Sequence, residues 1–566
     1  MATLEEVEAQ LTAPGALFET TGEEVLGAPV DVFVQRAPHL RALLEQSANF
    51  GESEYLVFDT GVRLTFARHL RAVADVAASL ARDYGVGAGD RVAILAANCP
   101  EWILAFWAAA SLGAVAVGMN AWWAADEIRY GIADADPAVL VADAQRLARL
   151  GGADPGVPVI EVESGFGALW EDERGCALPD VAIDEDDPVC ILYTSGTTGR
   201  PKGVVNTHRN VIGLMGLQVF TGIRGTMMHP PSPEVAAAMP PQRCQLVGNP
   251  LFHVSGVYTH VVTMLGTGTK TVWTTGRFEP EKVMRLVEAE KVTGWSPMGS
   301  MAARVVNHPD VGKYDLSSVL TCGSGGAPMP ADVQQRLREV FPNAKKVVAV
   351  GYGQTECAGL ATINFGDGLE DHPDSVGWAL PTMGISIRDP LGEPVADATE
   401  GEIWLRGPVV MKEYWRRPED SAAVLTPERW LRTGDVGHLL DGMLYVNARA
   451  RDMIIRAAEN VYPVEIEMRL EEHPAVREAA VVGVDHPELG QEVKAIVVLE
   501  AGVAASGAGD ALPAELTAWV GETLAYYKVP AHWDLRDEAL PRNAAGKVMK
   551  NVLTGDADNP FVDEAP

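Results

Sequence analysis

The sequence predicts a mixed α/β protein with a large domain built on parallel-sheet βα layers and a small α+β domain after it. Three observations predict this fold class. Apolar strand-like runs alternate with helical runs in the first half, short antiparallel patterns replace them after residue 400, and the chain has 566 residues. A chain of that length exceeds what one hydrophobic core holds, and alternating strands and helices indicate a parallel sheet covered on both faces.

The composition restricts the classes of partner. The chain carries 45 Lys and Arg against 77 Asp and Glu, a net charge of -32, which would repel the backbone of a nucleic acid. Its six cysteines show no Cys-x-x-Cys pair and no metal-finger spacing, which favours reduced thiols and no zinc site. The N-terminus is acidic where a secretory signal is basic. We therefore expect a cytoplasmic protein that meets any phosphate-bearing ligand through local cations and N–H groups.

The first half of the chain predicts successive helix–strand units. Helical runs at 100–112 and 124–133 lead into buried strands at 114–118 and 138–141. The uncharged stretch 102–125 is long enough to cross a membrane, but glycines divide it. Helix, turn and buried parallel strand is the better interpretation. Because ligands of parallel sheets bind at the carboxyl ends of strands, segments that follow a strand are the first candidates for function.

Residues 193–204 have the sequence Tyr-Thr-Ser-Gly-Thr-Thr-Gly-Arg-Pro-Lys-Gly-Val and directly follow a strand-like run at 189–192. Glycines let backbone N–H groups turn toward an anion, hydroxyls add donors or a metal ligand, and Lys202 offsets phosphate charge. The spacing excludes a Walker A loop. A flexible surface loop would explain such a cluster taken alone, but the Pro-Lys-Gly ending favours a phosphate-binding loop.

Two later segments carry candidate ligand-binding groups. The small residues at 324–328 let a flat ring lie against the backbone, and residues 347–356 lead from a strand into a turn that ends Tyr-Gly-Gln-Thr-Glu. Tyr352 can supply the facing aromatic surface, while Thr355 and Glu356 supply a hydroxyl and a carboxylate for phosphate and Mg²⁺. A tight turn with a core tyrosine is the alternative.

The rest of the chain departs from the helix–strand alternation. The proline-rich segment 224–246 predicts an inserted surface loop, and His253 follows at an apolar strand end, where a lone histidine is more often structural. Patterns after residue 400 predict the short antiparallel strands of a small barrel-like subdomain, and a basic segment then predicts a domain boundary at Arg451. Lys547 follows a glycine turn, where a lysine is usually a solvated surface residue.

In their order, these segments resemble the adenylate-forming superfamily of acyl-CoA synthetases, luciferases and peptide-synthetase adenylation domains. The resemblance runs from about residue 60 to residue 553 and rests on the phosphate-loop segment, Pro-Leu-Phe-His, Ser-Gly-Gly-Ala-Pro, Tyr-Gly-Gln-Thr-Glu, Thr-Gly-Asp, Arg-x-Arg-Asp, Glu-Asn-Val-Tyr-Pro and Pro-Arg-Asn-x-x-Gly-Lys. It implies a large domain at 1–450 and a small mobile domain at 451–566 that turns about a hinge at Arg451. It also implies that a carboxylic acid and ATP give acyl-AMP and pyrophosphate before a thiol takes the acyl group.

The resemblance assigns roles to the candidate residues. Lys547 bridges the carboxylate and the α-phosphate, and Glu356 with Thr194 holds Mg²⁺. His253 takes the gating position between the acyl pocket and the CoA tunnel. The implied ATP-binding set is Thr194, Ser195, Gly196, Thr197, Thr198, Gly199, Lys202, Gly326, Ala327, Pro328, Tyr352, Gly353, Gln354, Thr355, Asp435, Arg449 and Lys547.

Two further regions concern the acyl group and its acceptor. Relatives usually carry glycine where this chain has Ala457 and Ala458, in a loop that lines the CoA tunnel, so this departure bears on transfer to CoA and not on adenylation. The walls of the acyl pocket are largely apolar and predict an aliphatic or aryl-aliphatic acid. Those candidate walls are His253, Val254, Val257, Trp295, Met298 and Gly325.

The sequence thus predicts an ATP- and Mg²⁺-dependent ligase that joins a medium- or long-chain fatty or aryl-aliphatic acid to CoA. Two alternatives stay open. One is an adenylating enzyme that passes the acyl group to an amine or a carrier-protein thiol, and the other is a non-catalytic acyl or nucleotide sensor on the same fold. The expected partners are these small molecules, with no nucleic acid, no membrane span and one or two copies of the chain. Peripheral contact with lipid is left open.

Overall fold

The computed structural model describes residues 3–171, 174–194, 201–298, 301–325, 329, 331–449, 452–456, 459–486, 489–500, 511–543 and 547–555. Its strands are β1 Thr20–Val25, β2 Ala28–Phe33, β3 Glu54–Phe58, β4 Arg63–Thr65, β5 Arg91–Leu95, β6 Val115–Gly118, β7 Val139–Ala142, β8 Val159–Glu161, β9 Pro188–Thr194, β10 Lys202–Thr207, β11 Cys244–Val247, β12 Lys270–Trp273, β13 Gly294–Trp295, β14 Thr321–Gly325, β15 Val348–Tyr352, β16 Thr362–Phe365, β17 Ser375–Ala379, β18 Gly384–Arg388, β19 Gly401–Arg406, β20 Glu413–Tyr414, β21 Leu431–Leu440, β22 Met443–Arg449, β23 Ile454–Arg456, β24 Glu459–Val461, β25 Val476–His486, β26 Gly490–Leu499 and β27 His532–Arg536.

The α-helices in the described residues are α1 Leu4–Thr12, α2 Leu40–Gln46, α3 Phe66–Tyr84, α4 Pro100–Ser111, α5 Ala125–Ala135, α6 Ala144–Ala148, α7 His208–Met228, α8 Pro233–Ala238, α9 Val254–Gly256, α10 Thr263–Gly266, α11 Pro280–Glu290, α12 Met301–Val306, α13 Ala331–Val340, α14 Asp367–Asp371, α15 Pro418–Val424, α16 Pro463–Glu471, α17 Leu512–Gly521 and α18 Lys550–Leu553. A π-helix, Val257–Val262, joins α9 to α10, so 254–266 form one helical segment.

The first sheet contains the predicted helix–strand units. Its order is β20-β10-β9-β6-β5-β7-β8, and the strands from β9 to β8 run parallel. The helices predicted at 100–112 and 124–133 are α4 and α5, and each leads into a parallel strand. Almost all of α4 is buried, including Trp102 and Trp107. The uncharged stretch therefore lies inside the domain as helix, turn and strand, as the sequence predicts.

The second sheet has 13 strands in the order β18-β19-β21-β22-β17-β16-β15-β14-β13-β11-β12-β3-β4. Its central strands, from β15 to β3, run parallel, and the antiparallel strands predicted after residue 400 continue one edge. The prediction of a surface loop over 224–246 is wrong at both ends, because α7 runs to Met228 and β11 begins at Cys244. Pro230 and Pro231 then stop the helix.

The C-terminal part of the chain has its own sheet and core. Strands β24, β23, β26 and β25 pair antiparallel, and β27 adds to β26 in parallel. The core beneath them includes Ile466 and Leu470 of α16 and Leu516 of α17. This confirms the predicted small α+β domain. Arg451, the predicted hinge, and Ala457 and Ala458, the predicted tunnel residues, fall outside the described residues, so the boundary and these roles stay predictions.

In the described part of the chain, α7 is the one helix long and apolar enough to cross a membrane, judged by length and composition alone. Helices in protein cores pass the same test. Leu214, Leu217 and Phe220 of α7 are buried, and the helix packs against α1, β10 and the π-helix. We interpret α7 as a core helix.

Buried histidines make the stability of the large domain depend on pH. His69 on α3 is fully buried between Tyr55 and Trp107, and neither of its ring nitrogens has a hydrogen-bond partner among the described residues. Burial lowers the pKa of His69 to about 3 and that of His208 to about 3. In the unfolded chain a histidine titrates near pH 6.5. Their stabilising contribution is therefore complete above that pH and is lost as the pH falls toward 3.

We expect each such histidine to lower the free energy of unfolding by about 2 kcal/mol between pH 7 and pH 5. Urea unfolding followed by tryptophan fluorescence at both pH values measures this. The His69→Phe variant keeps an aromatic ring without a titrating group, so it should lose less stability on acidification than the wild type. His532→Gln, at a half-exposed site in the small domain, is the control. Equal acid sensitivity of wild type and His69→Phe would contradict the assignment.

Candidate active site

Strands β9 and β10 form an antiparallel hairpin at the carboxyl end of β9. Thr194 pairs with Lys202 across the hairpin, and both residues line a large cavity. The ammonium of Lys202 lies 2.7 Å from an Asp420 carboxylate oxygen and 5.4 Å from the centre of the Tyr414 ring. The connecting residues, Ser195, Gly196, Thr197, Thr198 and Gly199 among them, fall outside the described residues. The hairpin therefore lies where the sequence predicts a phosphate-binding loop, directly after a buried strand.

A tight turn after β15 presents Glu356 to the same cavity. The turn has no room for a side chain at Gly353, since a Cβ there would lie 2.5 Å from the carbonyl carbon of Gly359. Glu356 is 8% exposed, and Tyr414 Oη donates a hydrogen bond of 2.9 Å to its Oε1. Gln354, Thr355 and Glu356 all line the cavity. The predicted turn therefore places a buried carboxylate on the cavity wall.

Tyr352 and Asp435 form a polar pair beside this turn. Tyr352 Oη donates a hydrogen bond of 2.7 Å to Asp435 Oδ2. Burial raises the pKa of Tyr352 well above its ordinary value, and the charge of Asp435 raises it further, so the phenol keeps its proton. Arg449 is the strand partner of Asp435 on β22. Gly326, Ala327 and Pro328, the predicted adenine-binding residues, fall outside the described residues.

Lys547 reaches this cavity from the C-terminal domain. A short hairpin holds it, in which the Lys547 N–H donates to Asn543 Oδ1 at 3.0 Å and the Asn543 N–H donates to the Lys547 carbonyl at 2.9 Å. Lys547 and His253 of the large domain line the same cavity. Burial and, to a smaller extent, the positive charge of Lys547 together lower the pKa of His253 to about 3. His253 is therefore neutral at physiological pH, and its Nδ1 lies 3.0 Å from Ser255 Oγ.

Only some of the residues predicted to form the walls of the acyl pocket line the cavity. Val254 and Met298 line the cavity, but Trp295 and Val257 do not. Successive residues of a strand point to opposite faces, so Trp295 packs on Phe341 behind β13, with ring centres 5.9 Å apart. Val257 is fully buried in the core of the large domain. Gly325 ends β14, where it pairs with Gly351 of β15.

Three polar residues that line the cavity are not among those predicted from the sequence. They are Gln245 on β11, His260 on the π-helix and Ser296 directly after β13. One signal could have found Gln245, because a glutamine interrupts the otherwise apolar Cys-Gln-Leu-Val run of a buried strand. His260 and Ser296 carry no comparable signal, since their position depends on how distant segments pack.

The cavity has a volume of about 2950 Å³, several times that of a single-ligand site. It has room for a nucleotide, an acid and part of a third ligand. No cluster of three metal-binding side chains occurs in the described part of the chain. Mg²⁺ in nucleotide sites usually takes one or two carboxylates together with substrate phosphates. The Glu356 carboxylate and the Thr194 hydroxyl, both on the cavity wall, fit such a site.

The model of AMP-binding enzymes matches residues 43–415, and that of the AMP-binding enzyme C-terminal domain matches residues 465–547. The chain belongs to the AMP-binding enzyme family. A feruloyl-CoA synthase from Amycolatopsis sp is 34% identical over 496 residues, which cover 87% of this chain and 94% of that protein. A long-chain-fatty-acid–CoA ligase from Bacillus subtilis (strain 168) is 30% identical over 548 residues, which cover 90% of this chain and 93% of the relative.

Solved structures agree with this membership. The o-succinylbenzoate-CoA synthetase from Bacillus subtilis, in complex with its acyl-adenylate intermediate, matches with a TM-score of 0.74 and 29% identity over 92% of this chain and 98% of that one. The family confirms the predicted fold class and enzyme class. The protein is an AMP-binding acid–thiol ligase of the acyl-CoA synthetase kind. The roles of its individual site residues stay predictions.

Proposed function

We propose that this AMP-binding enzyme activates a medium- or long-chain fatty or aryl-aliphatic acid with ATP and transfers the acyl group to CoA. The supporting observation is the arrival of Lys547 from the small domain in the cavity that also holds His253 and the β9–β10 hairpin. A carboxylate and ATP are both anions at pH 7. A lysine between them offsets their repulsion and stabilises the charge that builds during reaction.

In the first half-reaction, a carboxylate oxygen of the acid attacks the α-phosphorus, and the bond to the β-phosphate breaks to release pyrophosphate. Lys547 donates hydrogen bonds to the carboxylate and α-phosphate oxygens, while Thr194 and Lys202 hold the leaving pyrophosphate. Lys202 exchanges Asp420 for phosphate when ATP enters. Glu356 and Thr194 would hold Mg²⁺, which when bound neutralises phosphate charge. Positioning and charge neutralisation account for the catalysis, and no covalent enzyme intermediate is needed.

In the second half-reaction, the CoA thiol gives up its proton to solvent and its sulfur attacks the carbonyl carbon of acyl-AMP. The bond from that carbon to the phosphate oxygen breaks, and AMP leaves. The small domain turns about Arg451, which withdraws Lys547 and brings the Ala457–Ala458 loop to the CoA tunnel. His253 separates the acyl pocket from that tunnel. As a neutral imidazole it can accept a hydrogen bond without adding charge beside the acyl-AMP.

An acid panel with ATP and Mg²⁺, with and without CoA, tests the proposal. We expect acid-dependent pyrophosphate release with dodecanoate, hexadecanoate or 3-phenylpropanoate, and thioester formation when CoA is added. Acyl-AMP that accumulates without thioester would exclude CoA and favour an amine or carrier-protein acceptor. No acid-dependent pyrophosphate release from any acid would contradict adenylation and favour the sensor.

A further inference from the structure

Three side chains form a bonded group beside the β9–β10 hairpin, called here the hairpin clamp. Two of them, Tyr130 and Asp134, belong to α5, and Arg417 lies between β20 and α15. Arg417 Nη2 donates hydrogen bonds of 2.7 Å to Asp134 Oδ1 and 3.1 Å to Tyr130 Oη. The Asp134 side chain is 6% exposed, so the guanidinium offsets a carboxylate that is almost withdrawn from water. None of the three is among the described residues that line the cavity.

The hairpin clamp bonds to the hairpin at two points. Tyr193 Oη donates a hydrogen bond of 2.8 Å to Asp134 Oδ2. Tyr130 Oη donates one of 2.9 Å to the carbonyl oxygen of Pro201. Burial and, to a smaller extent, the charge of Asp134 raise the pKa of Tyr193 well above its ordinary value, so the phenol keeps the proton that it donates. Each bonded hairpin residue directly precedes one of the residues that we propose hold pyrophosphate. Those residues are Thr194 and Lys202.

Tyr130 completes the hydrogen bonds along one edge of β10. Backbone N–H groups on either side of β20 donate to the carbonyl oxygens of Gly203, at 2.7 Å, and Val205, at 2.9 Å. Alternate residues of a strand present their carbonyls to the same edge, so the next carbonyl on this edge belongs to Pro201. The pairing of β20 with β10 ends at Val204 and does not extend that far. The Tyr130 hydroxyl supplies the donor there, so a side chain and not a strand fixes the start of β10.

A second ion pair joins the same two elements without the hairpin. Arg416, next to Arg417 in the chain, lies 3.0 Å from a carboxylate oxygen of Asp136, two residues after Asp134. Both side chains of this pair are exposed, and the hairpin takes no part in it. The two pairs therefore differ mainly in burial and in the bonds that only the hairpin clamp makes to the hairpin.

We infer that Tyr130, Asp134 and Arg417 are positioning residues for the β- and γ-phosphates of ATP, which they affect by holding Tyr193 and Pro201. The inference rests on the proposed function, because it assigns the outer phosphates to the β9–β10 hairpin. A polyanion that meets hydrogen-bond donors already in place avoids the cost of ordering them on binding. The hairpin clamp therefore strengthens the binding of ATP and of pyrophosphate. It does not affect AMP, which lacks the two outer phosphates.

Calorimetric binding of ATP, pyrophosphate and AMP to the full chain, the first two with Mg²⁺, tests the inference. Arg417→Met removes Nη2 and leaves the buried Asp134 carboxylate without its cation. We expect the Kd values of ATP and pyrophosphate to rise about 10- to 100-fold and that of AMP to change by less than about twofold. Tyr130→Phe should raise the same two Kd values about 3- to 10-fold. Arg417→Lys should restore most of the affinity, because a single nitrogen makes both contacts.

Arg416→Met is the matched control, because Arg416 pairs with Asp136 at the end of the same helix. It should leave all three Kd values within about twofold of the wild type. Thioester formation from supplied acyl-AMP and CoA verifies folding, since pyrophosphate takes no part in that step. If Arg417→Met folds poorly, Tyr130→Phe provides the same comparison. Equal weakening of ATP and AMP, or unchanged pyrophosphate binding, would overturn this inference and leave the proposed function standing. A wild type that does not bind ATP would overturn both.

Discussion

Replacing Lys547 by alanine is expected to lower acid-dependent pyrophosphate release about 10²- to 10³-fold, the usual cost of removing one group that stabilises transition-state charge. The side chain that would span the carboxylate and the α-phosphate is lost, while the binding surfaces of the large domain stay intact. Single-turnover pyrophosphate release with saturating ATP and acid measures the effect.

The same variant should form thioester from supplied acyl-AMP and CoA at nearly the wild-type rate, because the proposed rotation of the small domain withdraws Lys547 from the cavity for that half-reaction. Lys528→Ala is the control. Lys528 belongs to the same domain and pairs with Glu465 at 2.7 Å, so its loss should change either rate by no more than about twofold. An equal loss of both half-reactions in Lys547→Ala would show that the lysine does not alternate between states.

The order of the site segments could be predicted from sequence because each performs a local task with a restricted set of residues. A glycine- and hydroxyl-rich hairpin after a buried strand and a Gly-Gln-Thr-Glu turn after another are short-range patterns. The structure places Thr194 and Lys202, at the end of β9 in the first sheet, on one cavity with Glu356, which follows β15 in the second sheet. Each segment lies at the carboxyl end of a strand, where ligands of parallel sheets bind. The fold class followed from the same alternation of strands and helices.

The walls of the acyl pocket could not be predicted in the same way. Along β13 the face changes with each residue, so Ser296 meets the cavity while the larger Trp295 packs behind the sheet. The contact between Gln245 and Ser296 joins positions 51 residues apart, and the Lys202–Asp420 pair joins positions 218 apart. Such contacts depend on how elements that are distant in the chain pack against one another. A local sequence pattern does not indicate that packing.

Glu356→Gln is expected to raise the Mg²⁺ concentration for half-maximal pyrophosphate release about 10- to 100-fold. The rate of pyrophosphate release at physiological Mg²⁺ should fall accordingly. Glutamine keeps the size of the side chain and can still accept the hydrogen bond from Tyr414 through its amide oxygen. What it removes is the negative charge, which a hard divalent cation needs in a site with few protein ligands. A Mg²⁺ titration at fixed ATP, together with the Mg²⁺ dependence of ATP-induced thermal stabilisation, measures the change without relying on turnover alone.

Tyr414→Phe distinguishes the effect of the Glu356 charge from the effect of the hydrogen bond that Tyr414 donates to it. It removes the 2.9 Å hydrogen bond and leaves the carboxylate in place, so its effect should stay within about tenfold. A larger defect in Tyr414→Phe than in Glu356→Gln would mean that the phenol, and not the carboxylate charge, is the important group on this wall. An unchanged Mg²⁺ requirement in Glu356→Gln would show that the metal is held elsewhere, and the buried carboxylate would then act only as an anchor of the turn that carries Thr355 on the cavity wall.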